Sequence, residues 1–158
     1  PERRAALEAL KGRAAMANAR LAYRLFQSMF SGDRWNALAG RGARVQRPLW
    51  ASTSTKNPAY RDVIYVEQLI GPDTVNTIPP ATIEAFRDHG EVGRTVDRDV
   101  DGAERTIAAL AGAGISIDEV TAKLLADGVA SFQKSFDSLI AGLERKARAL
   151  GREPASTR

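Results

Sequence analysis

Cysteine is absent, histidine occurs once, and no apolar run comes near the roughly 20 residues that a membrane-spanning helix requires. The first absence removes any disulfide framework and any thiolate metal site, and it fits a cytoplasmic protein. The second leaves His89 without a serine, cysteine or metal-ligand partner at motif spacing. It falls in the last turn of an expected helix, where a cation complements the dipole. The third argues against a helical anchor and against a membrane partner. A secretory leader is not evident either, because Pro1-Glu2-Arg3-Arg4 is charged and an Ala/Leu-rich helix follows. The chain opens on Pro1 rather than Met, which reads as a processed chain, a cleaved piece or an expressed segment. Asp97, Asp99 and Asp101 alternate, yet the glycine and glutamate of a calcium loop are missing, so helix capping is expected and no metal.

Charge of one sign is also not gathered anywhere. The 158 residues carry 23 basic and 19 acidic side chains, a net of +4, and the two signs interleave as in "DRDVDGAER". A nucleic-acid partner needs a basic patch or stripe, so none is expected. The length is that of one ordinary domain.

Helices dominate what is present. Leu7, Leu10, Ala14, Ala17, Leu21 and Leu25 recur at three and four residues, predicting one long helix over residues 3–30, with Gly12 costing it about 1 kcal/mol relative to alanine. Ser31-Gly32-Asp33 closes it, with Asp33 or a neighbour capping a short turn beyond. Residues 47–53 and 73–78 read as two short strands, each bounded by proline. Pro80 opens a helix that ends before Gly90. Asp99 or Asp101 starts another, and Ser116 with Glu119 forms a capping box for a third. In that last helix Val129, Phe132, Phe136, Leu139, Ile140, Leu143, Ala147 and Leu150 share one side. A polar tail fills 151–158. Strands alternating with helices indicate parallel β/α units, but two strands are too few for a covered sheet.

The stretch "RPLWASTSTKN" (47–57) breaks from an apolar run into four hydroxyls and a lysine. Taken alone it is either a capped surface turn or the mouth of an anion site. "QRPLWASTSTKNPAY" and "YVEQLIGPDTVNTIPPATIEAFRDHG" closely resemble the C-terminal part of transaldolases of the longer bacterial type. "LKGRAAMANARLAYRLFQ", "FSGDRW" and "VASFQKSFDSLIAGLERKARAL" are similar to the same family. The resemblance implies an α/β fold, the C-terminal portion of a (β/α)8 barrel, mostly helical with two short parallel strands, residues 1–150 being part of that domain. It also implies transfer of a dihydroxyacetone unit between sugar phosphates, in the pentose phosphate pathway, through a lysine Schiff base without a cofactor.

In that family a serine followed by a basic residue and often asparagine meets the substrate phosphate. Ser52 and Lys56 match it. The spacing is two residues wider than in the short A-S-F-R-N form, so Ser54 stands beside Ser52 as the serine. Asn76 and Thr77 would lie at the rim of the last barrel strand. The Schiff-base lysine has no counterpart, since Lys11, Lys123, Lys134 and Lys146 fall on expected exposed helix faces and Lys56 belongs to the phosphate pattern. The resemblance thus implies a chain with no catalytic residue of its own, whose partners are sugar phosphates and the N-terminal part of the barrel. The contrasting expectation is a non-catalytic helical module that pairs with another protein through its apolar stripes.

Overall fold

The computed structural model describes residues 2–151, so the polar tail beyond Gly151 lies outside the described residues. Seven helices and two strands follow in the order α1 (Glu2–Leu10), α2 (Ala14–Met29), α3 (Gly32–Ala39), β1 (Leu49–Trp50), α4 (Ile64–Gln68), β2 (Val75–Asn76), α5 (Pro80–His89), α6 (Val100–Gly112) and α7 (Ile117–Ala149). They divide into two units, one ending at Gly114 and one beginning at Ile115. The expected mostly helical chain with two short parallel strands is what forms.

The long first helix does not form as one. Gly12 adopts φ +74 and splits it into α1 and α2. Periodicity misses this break because the apolar spacing continues across it, whereas a left-handed residue stops the hydrogen-bond ladder. Gly12 is also close-packed: a Cβ there would come 3.1 Å from Cζ of Tyr60. Lys11 sits in the same turn and pairs with Glu8 at 2.7 Å. Residues 32–39, expected as a turn, make a full helix with Asp33 in its first turn; Ser31 is at the cap position and gives no side-chain capping bond.

Both strands are shorter than expected. The ladder pairs Leu49 with Val75 and Trp50 with Asn76, in parallel. Beyond it, Ser52 at φ 56 leaves the extended region, which ends β1, and Asp73 at φ 59 delays the start of β2. The expected helix signals fare better. Pro80 begins α5 and Gly90 follows its end. Asp99 accepts from Gly102 N–H at 3.0 Å to cap α6, and Ser116 Oγ accepts from Glu119 N–H at 3.2 Å to cap α7.

The first unit packs α2 chiefly against α6. Its core joins Tyr23 of α2 to Leu69 and to Val96, which is fully buried, with Ala19, Phe26 and Trp50 around them. Polar atoms brought inside are matched: Tyr23 Oη donates to Pro72 O at 3.0 Å and Trp50 Nε1 to Leu69 O at 3.1 Å. From Tyr23 an aromatic row runs through Phe26 and Phe30 to Trp35, ending in an edge-on contact of 4.7 Å. The second unit is α7 itself, 33 residues whose apolar side is open, with Phe132 82% exposed.

Gly12→Ala is a direct test of the helix break. At a position with helical φ alanine would stabilise, but at φ +74 it should cost about 1–2 kcal/mol, seen as a lower midpoint in urea unfolding. A raised midpoint would mean that α1 and α2 are one continuous helix.

Candidate functional site

Two backbone bonds, Val75 N–H to Pro48 O at 2.9 Å and Thr77 N–H to Trp50 O at 3.1 Å, put the C-terminal ends of β1 and β2 side by side. The chain leaving β1 turns sharply at Ser52, whose left-handed backbone is a conformation that serine seldom adopts. It then lines a cleft of about 440 Å³, bordered by Ser52, Ser54, Lys56, Asn57, Trp50 and Tyr65, with Ala15 and Ala19 of α2 closing one side. Ser52, Ser54 and Lys56, singled out in the sequence, thus share one wall.

Lys56 is exposed and pairs with no carboxylate among the described residues. Its side chain therefore lines the cleft with no built-in counter-charge. Two of the four hydroxyls do other work. Thr55 Oγ1 donates to the carbonyls of Arg61 and Asp62 at 3.1 and 3.0 Å, folding the loop back on itself. Thr53, only 3% exposed, donates to Asn76 Oδ1 at 2.8 Å. Asn57 Oδ1 accepts from Ala59 N–H at 2.9 Å, which shapes the turn after Lys56.

Asn76 and Thr77 lie at the same end of the strand pair but do not line the cleft. Asn76 stands one side chain behind it, through Thr53. Thr77 is exposed beside the ladder. Nothing in the sequence pattern distinguishes Thr53 from its neighbours, because the turn at Ser52 breaks the alternation that would have assigned it a face.

Behind the loop is a charged cluster that spacing did not reveal. Arg61 makes a forked pair with Glu67, Nε to Oε2 and Nη2 to Oε1 both at 2.9 Å, and Nη2 also donates to His89 O. Glu67 is buried and accepts from Glu91 N–H at 3.0 Å as well. The Arg61 bond first, aided by the backbone donor, holds the Glu67 carboxyl below the usual glutamate range against the opposing effect of burial. His89 meets Asp62 at 2.9 Å through Nε2 and Asp88 at 3.1 Å through Nδ1. These bonds, Asp62 foremost, raise its pKa. His89 thus sits in the last turn of α5, as expected, and bridges two carboxylates. Asp97, another of the alternating aspartates, is bound by Arg94.

The sequence profile of the Transaldolase/Fructose-6-phosphate aldolase family matches residues 2–143. The chain belongs to this family. It is 48% identical over 149 residues to a transaldolase of Trichodesmium erythraeum, covering 93% of this chain and 39% of that protein. It is 49% identical over 143 residues to transaldolase 1 of Streptomyces coelicolor, with 90% and 38% covered. A transaldolase of Frankia alni is 49% identical over 146 residues, with 92% and 38% covered. The chain therefore spans under two-fifths of the length of these transaldolases.

The charged cluster of this transaldolase-family chain makes its stability depend on pH in two opposite senses. Glu67 and Asp62 have lowered pKa values, so their contribution is present above the ordinary carboxylate values of 4.5 and 3.8 and is lost as pH falls through the lowered ones. His89 is raised, so its contribution is present below 6.5 and is lost as pH rises through its raised value. Urea unfolding across pH should show Glu67→Gln flattening only the acid limb and His89→Gln chiefly the limb above 6.5. Acid limbs of equal slope in Glu67→Gln and the parent would remove Glu67 from this role.

Proposed function

We propose that residues 1–150 form part of a transaldolase (β/α)8 barrel domain and that the cleft after β1 holds the phosphate of a sugar-phosphate substrate. Ser52 and Ser54 donate hydroxyl hydrogen bonds to phosphate oxygens, and Lys56 supplies a point charge. The dihydroxyacetone unit is carried as a Schiff base on a lysine from another part of the barrel, in the cytoplasm and without a cofactor, so the chain by itself supplies binding and not the nucleophile. The observation that carries this reading is the convergence of Ser52, Ser54 and an unpaired Lys56 in one cleft at the C-terminal end of a parallel strand pair. Barrel enzymes place their chemistry at that end of their strands. The family match and the fraction of each relative that is covered support it.

Within a barrel assembled from this chain and the remaining segments, Lys56→Ala should reduce efficiency with fructose 6-phosphate about ten- to a hundred-fold. This is the loss expected for a charged hydrogen bond of roughly 1.5–3 kcal/mol. Efficiency with unphosphorylated dihydroxyacetone should change little. Equal losses for the two substrates would make Lys56 a bystander.

One observation favours a second reading, a helical interaction module. The side of α7 that carries Phe132, Phe136, Leu139, Ile140 and Leu143 is exposed. Covering a large apolar side chain contributes about 1.5–3 kcal/mol, so five uncovered ones forgo on the order of ten. In the barrel reading the remaining segments provide the cover. Sedimentation of the purified chain should then show association, accompanied by broad thermal unfolding. A monomer with a sharp transition would favour the module instead.

A further inference from the structure

A second cleft, of about 490 Å³, lies along the contact of α2 with α6 and shares no lining residue with the Lys56 cleft. Helix α2 is a wall of both. Ala15 and Ala19 face the Lys56 cleft, whereas Arg13, Met16, Ala17 and Arg20 border the second. Across from them stand Arg105 and Asp99 at the start of α6. Three arginines therefore line one small-molecule-sized cleft, with Asp99 as its single acidic lining residue.

Their charge is poorly compensated. The Arg13 side chain makes no hydrogen bond or ion pair among the described residues. Arg20 donates through Nη2 to the neutral Gln68 Oε1 at 2.7 Å, and its Nε is buried with no acceptor among the described residues. A buried N–H without an acceptor is costly, the more so on a charged group. Arg105 reaches Asp99 at 3.4 Å, but both side chains are largely exposed, and such pairs contribute little. Asp99 Oδ1 is in any case engaged by the backbone of Gly102. The contrast with Arg61, forked onto a buried glutamate, is chemical: there the counter-charge is built in, and here it is left to be supplied. The guanidinium fork suits the paired oxygens of phosphate and carboxylate, and Leu10, Met16 and Ala17 give the cleft an apolar side for a short carbon body.

We propose that this arginine cleft is a binding site for a small organic polyanion, one carrying at least two phosphate or carboxylate groups, separate from the phosphate cleft at Lys56. The site is a property of α2 and α6 and does not rest on the transaldolase reaction.

Calorimetric titration of the full chain with inorganic pyrophosphate, and separately with citrate, tests the proposal and tells phosphate from carboxylate preference. Binding by either anion should weaken with added salt. Arg13→Gln, which breaks no side-chain hydrogen bond or ion pair within the described residues, should weaken it about ten- to a hundred-fold, the range for one charged hydrogen bond. Ala109→Glu, which places a carboxylate on the cleft wall without removing any arginine, should abolish it. Lys56→Ala should leave it unchanged. Failure of both anions to bind the parent chain, or binding lost in Lys56→Ala yet retained in Ala109→Glu, would overturn the assignment.

Discussion

The two ladder bonds that join Val75 to Pro48 and Thr77 to Trp50 fix the position of everything around the Lys56 cleft. Because the pairing is parallel, the chain leaves both strands at the same end, and Ser52–Lys56 emerges beside Asn76. A ladder of two residues is weak when isolated, so it depends on what anchors its members. Trp50 packs on the core and donates its indole N–H to Leu69, at the end of α4. Thr53 then bridges to Asn76 across the strand ends. The cleft is thus an outcome of packing among α2, α4 and the strand pair, rather than of the hydroxyl-rich loop alone.

Segments that follow that loop are held by a different force. Arg61 precedes α4, Glu67 lies within it, and Glu91 follows α5, so one buried carboxylate collects donors from two other places in the chain. Burying Glu67 costs solvation, and the forked arginine with one backbone N–H offsets it. Nearby, Thr95 closes the same region: its hydroxyl donates to Glu67 O at 2.6 Å, and its backbone N–H and that of Val96 reach Ile70 O at 2.9 and 3.1 Å. Val96 is thereby seated against Gly71, where a Cβ would come 2.2 Å from Val96 Cγ1. Only glycine permits that approach.

How far sequence reaches into this structure depends on the range of the interaction concerned. Asp99, Ser116 and Pro80 act on the first turn of their own helices, so their roles were legible from neighbours three residues away. The apolar stripe of α7 was equally readable, whereas that of α2 was read only in part: Ala17 is buried, but Leu25 is exposed and the core contact is made by Tyr23, with Ala19 and Phe26. Gly12 was not readable, because its left-handed φ fits a packing constraint set by Tyr60, forty-eight residues further on by the numbering. The strand limits were misjudged for a related reason: Ser52 and Asp73 take conformations that their residue types adopt only when the surroundings require it. At the site, Ser52, Ser54 and Lys56 were singled out through family resemblance, and all three line one cleft. Thr53, and the cluster of Arg61, Glu67 and His89, had no such signal. Their partners are distant, and no spacing rule links an arginine to a glutamate six positions away outside a helix.

The amide of Thr77 is bound to the carbonyl of the residue that begins the turn into the cleft loop, and Val75 is bound on the other side of the same pair. With Ser52 in a strained conformation, the loop keeps its shape only while that pair is closed. Local opening of two backbone bonds would therefore release Thr53 from Asn76 and relax the wall that carries Lys56, and because Trp50 packs on the cluster of Tyr23, Leu69 and Val96 it would also be felt in the core that holds α2. Order at the cleft is in this sense coupled to the core of the first unit. Hydrogen exchange at just two amides, Val75 and Thr77, would report its free energy of opening, whereas the amides of α2 would report that of the helical core.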